Sequence, residues 1–193
     1  MRCLIVVAHP LKQSLCQSLA TIARETLIKG GHEVDVADLY AENFSPVMTA
    51  EERIAHNAVP DNSGPQSLRL ASAEALVLVF PTWWYGFPAV LKGWFDRIWL
   101  PGLAFDIDPK TFALVPRLAG LRHVVAITTL ASSRWVDWFV LRQPVRRILK
   151  HAIAGTCAPQ AQFRYLAMHS AEDVSPARFE DFGARIRRSL LAL

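Results

Sequence analysis

The sequence predicts an α/β fold in which a parallel sheet carries helices on both faces. Short, continuous apolar runs rich in branched residues, such as residues 4–8 and 75–80, are typical of strands that are buried on both sides. Stretches with helical spacing alternate with these runs, which favours parallel strands joined by helices. A chain of 193 residues, 52% hydrophobic and 20% charged, can build one sizeable core and is not disordered. We therefore expect one domain over residues 1–193.

The first strand and the first helix have clear boundaries. The apolar run at 4–8 stops before a His-Pro pair, and helical spacing follows over residues 14–29. Ser14 and Gln17 stand three residues apart, as in a capping box that opens a helix. A Gly-Gly pair at positions 30 and 31 predicts the end of this helix, because glycine favours helix C-termini.

The remaining elements continue the alternation. The stretch at 43–65 is mixed and polar, with a possible short helix after Thr49 and a break at Gly64-Pro65. Pro144 must kink or restart the helix around it, because proline has no N–H to donate. Further strands are predicted at 33–39, 75–80, 121–128 and 162–168, and further helices at 66–72, 88–100, 135–153 and 176–191.

Composition and charge narrow the classes of function. The net charge is +4 and the pI is about 9.2, which suits an anionic ligand but is too small to indicate nucleic acid binding. Cys3, Cys16 and Cys157 are odd in number and lack metal-ligand spacing, so we expect reduced thiols in a cytoplasmic protein and no metal site. The early apolar run is too short to span a bilayer, and a signal-peptide pattern is not expected.

Ligands of parallel α/β sheets bind at the carboxyl ends of the strands. Residues 9–16, 81–88 and 128–135 each follow a predicted strand, so we expect them to meet at one edge of the sheet. The first of these segments contains no glycine, which disfavours both the GxGxxG dinucleotide fingerprint and the Walker loop.

The segment at 9–16 admits two interpretations. Free N–H groups at the start of the following helix favour an anion such as phosphate, to which His9, Gln13 and Ser14 can add donors. Alternatively, Ser14 only caps the helix and His9 packs against the next loop. The residues alone do not separate the two.

The segment at 81–88 contains three consecutive large aromatic residues, Trp83, Trp84 and Tyr85, followed by Gly86. A flat tricyclic ring needs apolar walls and a few backbone donors, and a glycine lets the backbone approach such a ring closely. A satellite hydrophobic cluster is the alternative. Because ligands bind at strand ends, we favour a ring-binding site.

The residues around this aromatic segment resemble a known family. Residues 80–97, which read FPTWWYGFPAVLKGWFDR, resemble the signature of the NAD(P)H:quinone oxidoreductase (DT-diaphorase) family. His9 with the helix start at Ser14, and residues 38–48, also match its pattern. The resemblance is strong over about residues 4–105, and the chain is most similar to the compact bacterial members.

The resemblance implies a flavodoxin-like, three-layer sandwich around five parallel strands in the order 2-1-3-4-5. It also implies a flavin, FAD in most relatives and FMN in some, with NAD(P)H as co-substrate. Two electrons would pass as hydride to a quinone or a similar flat acceptor, and one shared pocket implies ping-pong kinetics. Family members are usually homodimers in which residues of both subunits line the active site.

Three groups of residues would contact the flavin by the same resemblance. The phosphate-loop positions are His9, Gln13, Ser14, Leu15 and Cys16. The ring positions are Pro81, Thr82, Trp83, Trp84, Tyr85 and Gly86 in one loop and Thr128, Thr129, Leu130 and Ala131 in the next. From the residues themselves, Tyr85, Phe105 and Trp135 are the candidates to bind substrate, with core or interface packing as the default alternative for Phe105 and Trp135. No catalytic acid or base is assigned.

Three residues depart from the family pattern. Cys16 replaces an asparagine of the phosphate loop, while Leu130 and Ala131 replace two glycines of the second ring loop. Their added side chains would reduce the space available at the edge of the ring. Negative charge at the ring edge needs donors, for which we expect N–H groups of this loop, helped by Ser132 or Ser133.

Two other functions share these features. One is that of a regulatory flavoprotein subunit of a potassium efflux system, and the other is that of a one-electron carrier of the flavodoxin kind. The basic pI disfavours the carrier, since such carriers are usually acidic. A flat apolar slot suits quinones, azo dyes and nitroaromatics alike, so the acceptor stays open, as does the choice between NADH and NADPH.

Overall fold

A central parallel sheet organises the molecule. The computed structural model describes residues 1–55 and 64–193. The strands are β1 (Arg2–Val7), β2 (Glu33–Asp38), β3 (Ala75–Pro81), β4 (Phe105–Ile107), β5 (Leu114–Pro116), β6 (His123–Thr129) and β7 (Gln162–Met168). Five of them pair in parallel in the order β2-β1-β3-β6-β7, while β4 and β5 form an antiparallel hairpin. The predicted order 2-1-3-4-5 is therefore confirmed.

The helices lie on both faces of this sheet. They are α1 (Leu15–Lys29), α2 (Ala50–Ala55), α3 (Pro65–Ser72), α4 (Ala89–Ile98), α5 (Pro144–Arg147), α6 (Gly155–Cys157) and α7 (Pro176–Leu190), with π-helical turns at Val136–Val140 and Ile148–Ala154. Helices α1 and α7 cover one face, and α3, α4 and the helical segment from α5 to α6 cover the other. No helix in the described ranges is both long and apolar enough to cross a membrane.

Burial explains why the inner strands read as continuous apolar runs. All residues of β3 and β6 are buried, because helices cover both faces of these strands. In β1, Leu4 and Val6 pack under α3 and α4, whereas Ile5 and Val7 pack under α1 and α7. Strand β2 forms one edge and keeps alternating exposure.

The predicted capping box at α1 is half correct. The Ser14 hydroxyl accepts a hydrogen bond from the backbone N–H of Gln17 at 3.2 Å. The Gln17 side chain does not return to Ser14 but donates to the Asp38 carboxylate at 2.7 Å. A reciprocal box opens α2 instead, where Thr49 and Glu52 bond each other's backbone N–H at 3.1 and 2.8 Å.

The predicted restart of the helix at Pro144 is confirmed, whereas other predictions needed correction. Arg142 and Gln143 adopt left-handed φ angles of 57° and 51°, and the chain becomes helical again at Pro144. Pro88 lies before the first turn of α4 and not within it. The β4–β5 hairpin was not predicted, and residues 56–63 of the polar stretch lie outside the described residues.

Candidate functional site

The parallel register brings the three predicted loops together at the carboxyl edge of the sheet. The N–H of Ala8 donates to Val79 O at 3.0 Å, and the N–H of Thr82 donates to Thr129 O at 2.8 Å. The ends of β1, β3 and β6 are thereby neighbours, so residues 9–16, 81–88 and 128–135 start side by side.

The first loop forms an open, polar cavity at the start of α1. Ser14 is extended and caps the helix through its hydroxyl, so the capping role is observed. His9 accepts from the Leu11 N–H at 3.1 Å and packs near the Trp83 ring at a centroid distance of 6.2 Å. The cavity measures about 480 Å³ and is lined by Lys12, Gln13, Ser14, Leu15, Gln17, Ser18 and Thr21. An ammonium group and the α1 N-terminus thus share one concave surface, which suits an anion.

The aromatic loop is a tight turn that exposes an indole. Trp83 and Gly86 exchange backbone hydrogen bonds of 3.3 and 2.9 Å across Trp84 and Tyr85. Both central residues have left-handed φ angles, 50° and 56°, which bulky side chains rarely adopt. Trp84 is 99% exposed, so the satellite-cluster interpretation is wrong for this residue. Backbone strain at a residue whose aromatic side chain is exposed indicates a functional surface.

A small pocket lies between the aromatic loop and the loop that follows β6. It measures about 150 Å³ and is lined by Thr82, Trp84, Tyr85, Leu130, Ala131 and Ser132. The Ser132 hydroxyl oxygen is buried and has no hydrogen-bond partner within residues 1–55 and 64–193. Buried hydroxyls are normally satisfied, so this group is suited to a ligand that enters the pocket.

Several predicted ring contacts lie behind this pocket. The Thr128 hydroxyl is fully buried and lies 2.8 Å from the Thr82 hydroxyl, which also bonds Tyr165. Cys16 is buried with its Sγ 3.7 Å from the Thr129 hydroxyl, and burial raises the pKa of its thiol to about 11. These side chains support the loops from below, and Cys16 remains a neutral thiol at ordinary pH.

The side chains that replace the two glycines leave the pocket open. Leu130 is only 2% exposed, and its N–H donates to Met168 O at 2.8 Å, so this part of the loop is fastened to β7. Ala131 is exposed at the pocket wall. The Leu130 N–H is therefore not free for a ligand, while the N–H groups of Ala131 and Ser132 make no backbone hydrogen bond in the described ranges.

Two predicted substrate contacts lie apart from this pocket. Phe105 is half-buried and packs against the core beneath α3 and α4. Trp135 is 64% exposed and follows the loop that forms the pocket wall. Only Tyr85 of the three lines the pocket formed by this chain.

The structure adds functional candidates that the sequence did not indicate. Asp137 is buried and bonds His169 at 2.9 Å, although the two residues are 32 positions apart. Burial raises the pKa of the Tyr165 hydroxyl, which bonds Thr82, above its usual range. A larger cavity of about 600 Å³ at the start of α7 is lined by Arg134, Ala167, Met168, His169, Ser170, Ala177, Arg178, Asp181, Phe182 and Arg185. No local sequence pattern connects these residues.

Comparisons with known proteins agree with this geometry. The chain is 39% identical over 113 residues to the uncharacterized NAD(P)H oxidoreductase YcaK of Escherichia coli K12, covering 56% of this chain and 58% of that protein. It is 35% identical over 123 residues to ribosyldihydronicotinamide dehydrogenase (quinone) of Pongo abelii, covering 54% and 53%. The chain thus spans little more than half the length of these curated relatives.

The fold comparison covers the whole chain. The crystal structure of Smu.1420 from Streptococcus mutans UA159 matches with a TM-score of 0.86 and 28% identity over 100% of both chains. The family model described as the flavodoxin-like fold matches residues 1–190. With the sheet order and the carboxyl-edge loops already established, this match shows that the chain belongs to the family with the flavodoxin-like fold.

Proposed function

We propose that the protein is a flavin-dependent NAD(P)H:quinone oxidoreductase that transfers two electrons to a quinone or a similar flat acceptor. The observation that carries this proposal is the pocket in which an exposed, strained Trp84 faces a loop with the unpartnered Ser132 hydroxyl. An apolar wall and one unsatisfied donor are what a flat heteroaromatic ring requires. The curated relatives with oxidoreductase names support the same class of reaction.

The cofactor phosphate would be held at the start of α1. Lys12 and residues of the first turn of α1 line the same cavity. The helix dipole favours an anion there, and Gln13 can add a donor. Ser14 contributes less than the sequence suggested, because its hydroxyl already caps the helix.

The ring would be held between Trp84 and Ser132. A bound flavin supplies hydride acceptance from NAD(P)H and hydride donation to the acceptor. Trp84 and Tyr85 would orient the flat groups by aromatic contact. The Ser132 hydroxyl, with the N–H groups of Ala131 and Ser132, offers donors for negative charge at the ring edge. One shared pocket for both substrates implies ping-pong kinetics.

FAD is favoured over FMN by the cavity at the start of α7. Helix α7 packs beside α1 on the same face of the sheet, so this cavity and the phosphate cavity belong to one side of the molecule. Arg134, Arg178 and Arg185 line it together with Asp181, and its volume of about 600 Å³ suits a nucleotide-sized group. Arg178 already donates to three backbone carbonyls, so Arg134 and Arg185 are the candidates for binding phosphate. Guanidinium groups match phosphate oxygens well, which supports a site for a second phosphate.

A homodimer is the assembly that we propose. Trp84, Trp135, Phe112 and Phe139 are each more than half exposed, and a second copy would cover some of these side chains. Because Phe105 and Trp135 do not line the pocket of their own chain, they would contact the acceptor from the second copy. The three buried, free cysteines support a reducing compartment such as the cytoplasm.

The proposal is tested by adding FAD and FMN separately to the purified protein and recording the visible spectrum. A bound, yellow flavin that is bleached by NAD(P)H and reoxidised by the quinone menadione, with parallel double-reciprocal plots, is the expected result. A protein that stays colourless with both flavins contradicts the proposal. A stable semiquinone spectrum during reduction would indicate a one-electron carrier instead.

The variant Ser132→Ala sharpens the test. Loss of the hydroxyl should weaken flavin binding about tenfold while leaving thermal stability unchanged or slightly higher, because no protein partner is lost. Of the two serines predicted as donors, Ser133 is exposed and does not line the pocket. Ser133→Ala is therefore the matched control and should bind flavin like the wild type.

A further inference from the structure

A buried carboxylate–imidazole pair lies next to the ring pocket and has no assigned role there. Its imidazole, His169, also lines the cavity at the start of α7. The Asp137 side chain is 2% exposed, and its Oδ2 lies 2.9 Å from Nε2 of His169. In the described part of the chain, His169 is the hydrogen-bond partner of this carboxylate. A buried carboxylate with so few partners is costly, so the pair calls for a reason beyond packing.

The pair joins two segments that also meet at the pocket. His169 directly follows β7, and Asp137 lies in the π-helical turn Val136–Val140, just after the loop that carries Ser132. The Asp137 N–H donates to Ser133 O at 3.3 Å, and Asp137 O accepts from the Gln143 N–H at 2.8 Å. Asp137 is thus connected directly to the loop on one side and to the left-handed break on the other.

Backbone hydrogen bonds fasten the same loop to the chain beyond β7. The Leu130 N–H donates to Met168 O at 2.8 Å, the Ser170 N–H to Ser132 O at 3.0 Å, and the Ala171 N–H to Leu130 O at 2.9 Å. His169 lies between these contacts, so its bond to Asp137 is a side-chain link between segments that are also joined through the backbone. Ser170 adopts a left-handed φ of 48°, which needs support from its surroundings.

We propose that Asp137 and His169 are positioning residues whose hydrogen bond holds residues 130–133 in the conformation that places Ser132, with its unpartnered hydroxyl, in the wall of the pocket. This inference rests on the proposed function, because it concerns the affinity of the pocket for a flavin. Leu130 and Ala131 replace two glycines of the family pattern and bring side chains into this loop. The hydrogen bond between Asp137 and His169 holds the conformation that such a loop needs. Pre-organisation of a donor raises affinity because its ordering precedes binding.

A purely structural role makes a different prediction. The carboxylate also lies near Tyr165, whose pKa it helps to raise, so the pair touches the layer beneath the pocket. If its only effect were on packing, its removal would lower the melting temperature and leave flavin affinity unchanged in the folded protein. The two roles are separated by measuring both quantities on the same variants.

The experiment titrates FMN and FAD into each apoprotein and follows quenching of flavin fluorescence, with folding checked by circular dichroism and thermal melting. FMN is the deciding ligand, because it lacks the second phosphate proposed for the α7 cavity that His169 also lines. His169→Ala removes the link and should weaken binding at least about tenfold at temperatures where the protein is folded. His169→Gln keeps an N–H donor and should restore binding to within about threefold of the wild type. If His169→Ala does not fold, the double variant with Asp137→Asn, which leaves a neutral amide and no buried charge, replaces it.

The matched control is His123→Gln at the opposite, amino-terminal end of β6. His123 is also buried but lies far from the loop at 130–133, and its Nδ1 has no hydrogen-bond partner in the described ranges. This change therefore tests a buried histidine substitution without loss of a link to the loop, and flavin affinity should stay at the wild-type value. The double variant His169→Ala/Ser132→Ala should bind no more weakly than Ser132→Ala alone, because both changes remove the same donor.

The outcomes distinguish this inference from the proposed function. A wild-type protein that binds neither flavin contradicts both. A wild-type protein that binds flavin, with a folded His169→Ala variant of equal affinity, contradicts only the positioning role. Additive losses in the double variant with Ser132→Ala would also overturn it, since the pair would then act through another group.

Discussion

Removal of the indole at position 84 should weaken flavin binding with little effect on stability. Trp84 is 99% exposed and packs against little of the described protein, so Trp84→Ala should change the free energy of unfolding by less than about 0.5 kcal/mol. The backbone strain at φ 50° remains with alanine. Loss of stability is therefore not expected, and any effect on ligand binding has a local cause.

The expected effect on flavin affinity follows from stacking. An aromatic side chain that stacks on a heteroaromatic base contributes about 1–3 kcal/mol when measured by alanine substitution. Because Trp84 lines the pocket, its removal should weaken FMN or FAD binding roughly five- to 150-fold. The dissociation constant is measured by fluorescence quenching, and the free energy of unfolding by urea denaturation of the apoprotein.

Trp83→Ala is the matched control for this prediction. Trp83 is less exposed, packs near the His9 ring and does not line the pocket, so its removal should cost more stability and less affinity. The reasoning is refuted if folded Trp84→Ala binds flavin as tightly as the wild type. It is also refuted if this variant loses more than about 1 kcal/mol of stability, since the indole would then be part of the fold.

Three further predictions concern stability and can be checked by urea denaturation. Gly93→Ala should lower the free energy of unfolding by about 3 kcal/mol, because the new Cβ would lie 2.2 Å from Pro46 O. The energy of this clash exceeds the roughly 1 kcal/mol by which alanine is favoured over glycine in a helix. Gly120→Ala is the control and should leave stability unchanged, because its Cβ would enter open space. Ser14→Ala should cost about 1 kcal/mol through loss of the α1 cap, and unchanged stability would exclude that cap. Burial raises the pKa of Cys16 from 9.0 to about 11, so between these values the folded state keeps a proton that the unfolded state loses. Between pH 8 and pH 10 the free energy of unfolding of the wild type should therefore fall by about 1 kcal/mol more than that of Cys16→Ala. An equal fall in the two proteins would contradict a buried thiol.

Much of the fold could be predicted because its signals are local. Strand β3 is apolar throughout since helices cover both of its faces, and the same reason makes β1 and β6 recognisable. Alternation of such strands with helices implies a parallel sheet, which in turn places the loops after β1, β3 and β6 at one edge. The β4–β5 hairpin escaped prediction, because each strand has only three residues and weak burial.

The candidate site was predictable only in outline. The aromatic run at 83–85 identified a loop, yet nothing in its letters indicated that Trp84 and Tyr85 would adopt left-handed angles and that Trp84 would be fully exposed. Cys16 and Thr128 have the right sequence positions, but burial places their side chains beneath the pocket. The direction of a side chain depends on what packs around it, which is not a local property.

By itself, the sequence determined the order of the elements, the parallel sheet and the edge at which the loops meet, because periodicity and apolar runs act within a few residues. Only the tertiary structure decided that Asp137 meets His169, that the Ser132 hydroxyl is buried without a partner, and that Arg134 and Arg178 share a cavity. These contacts join residues 30 or more positions apart, or depend on a neighbouring loop. Such pairings arise from the packing of whole elements, and no short-range pattern encodes them.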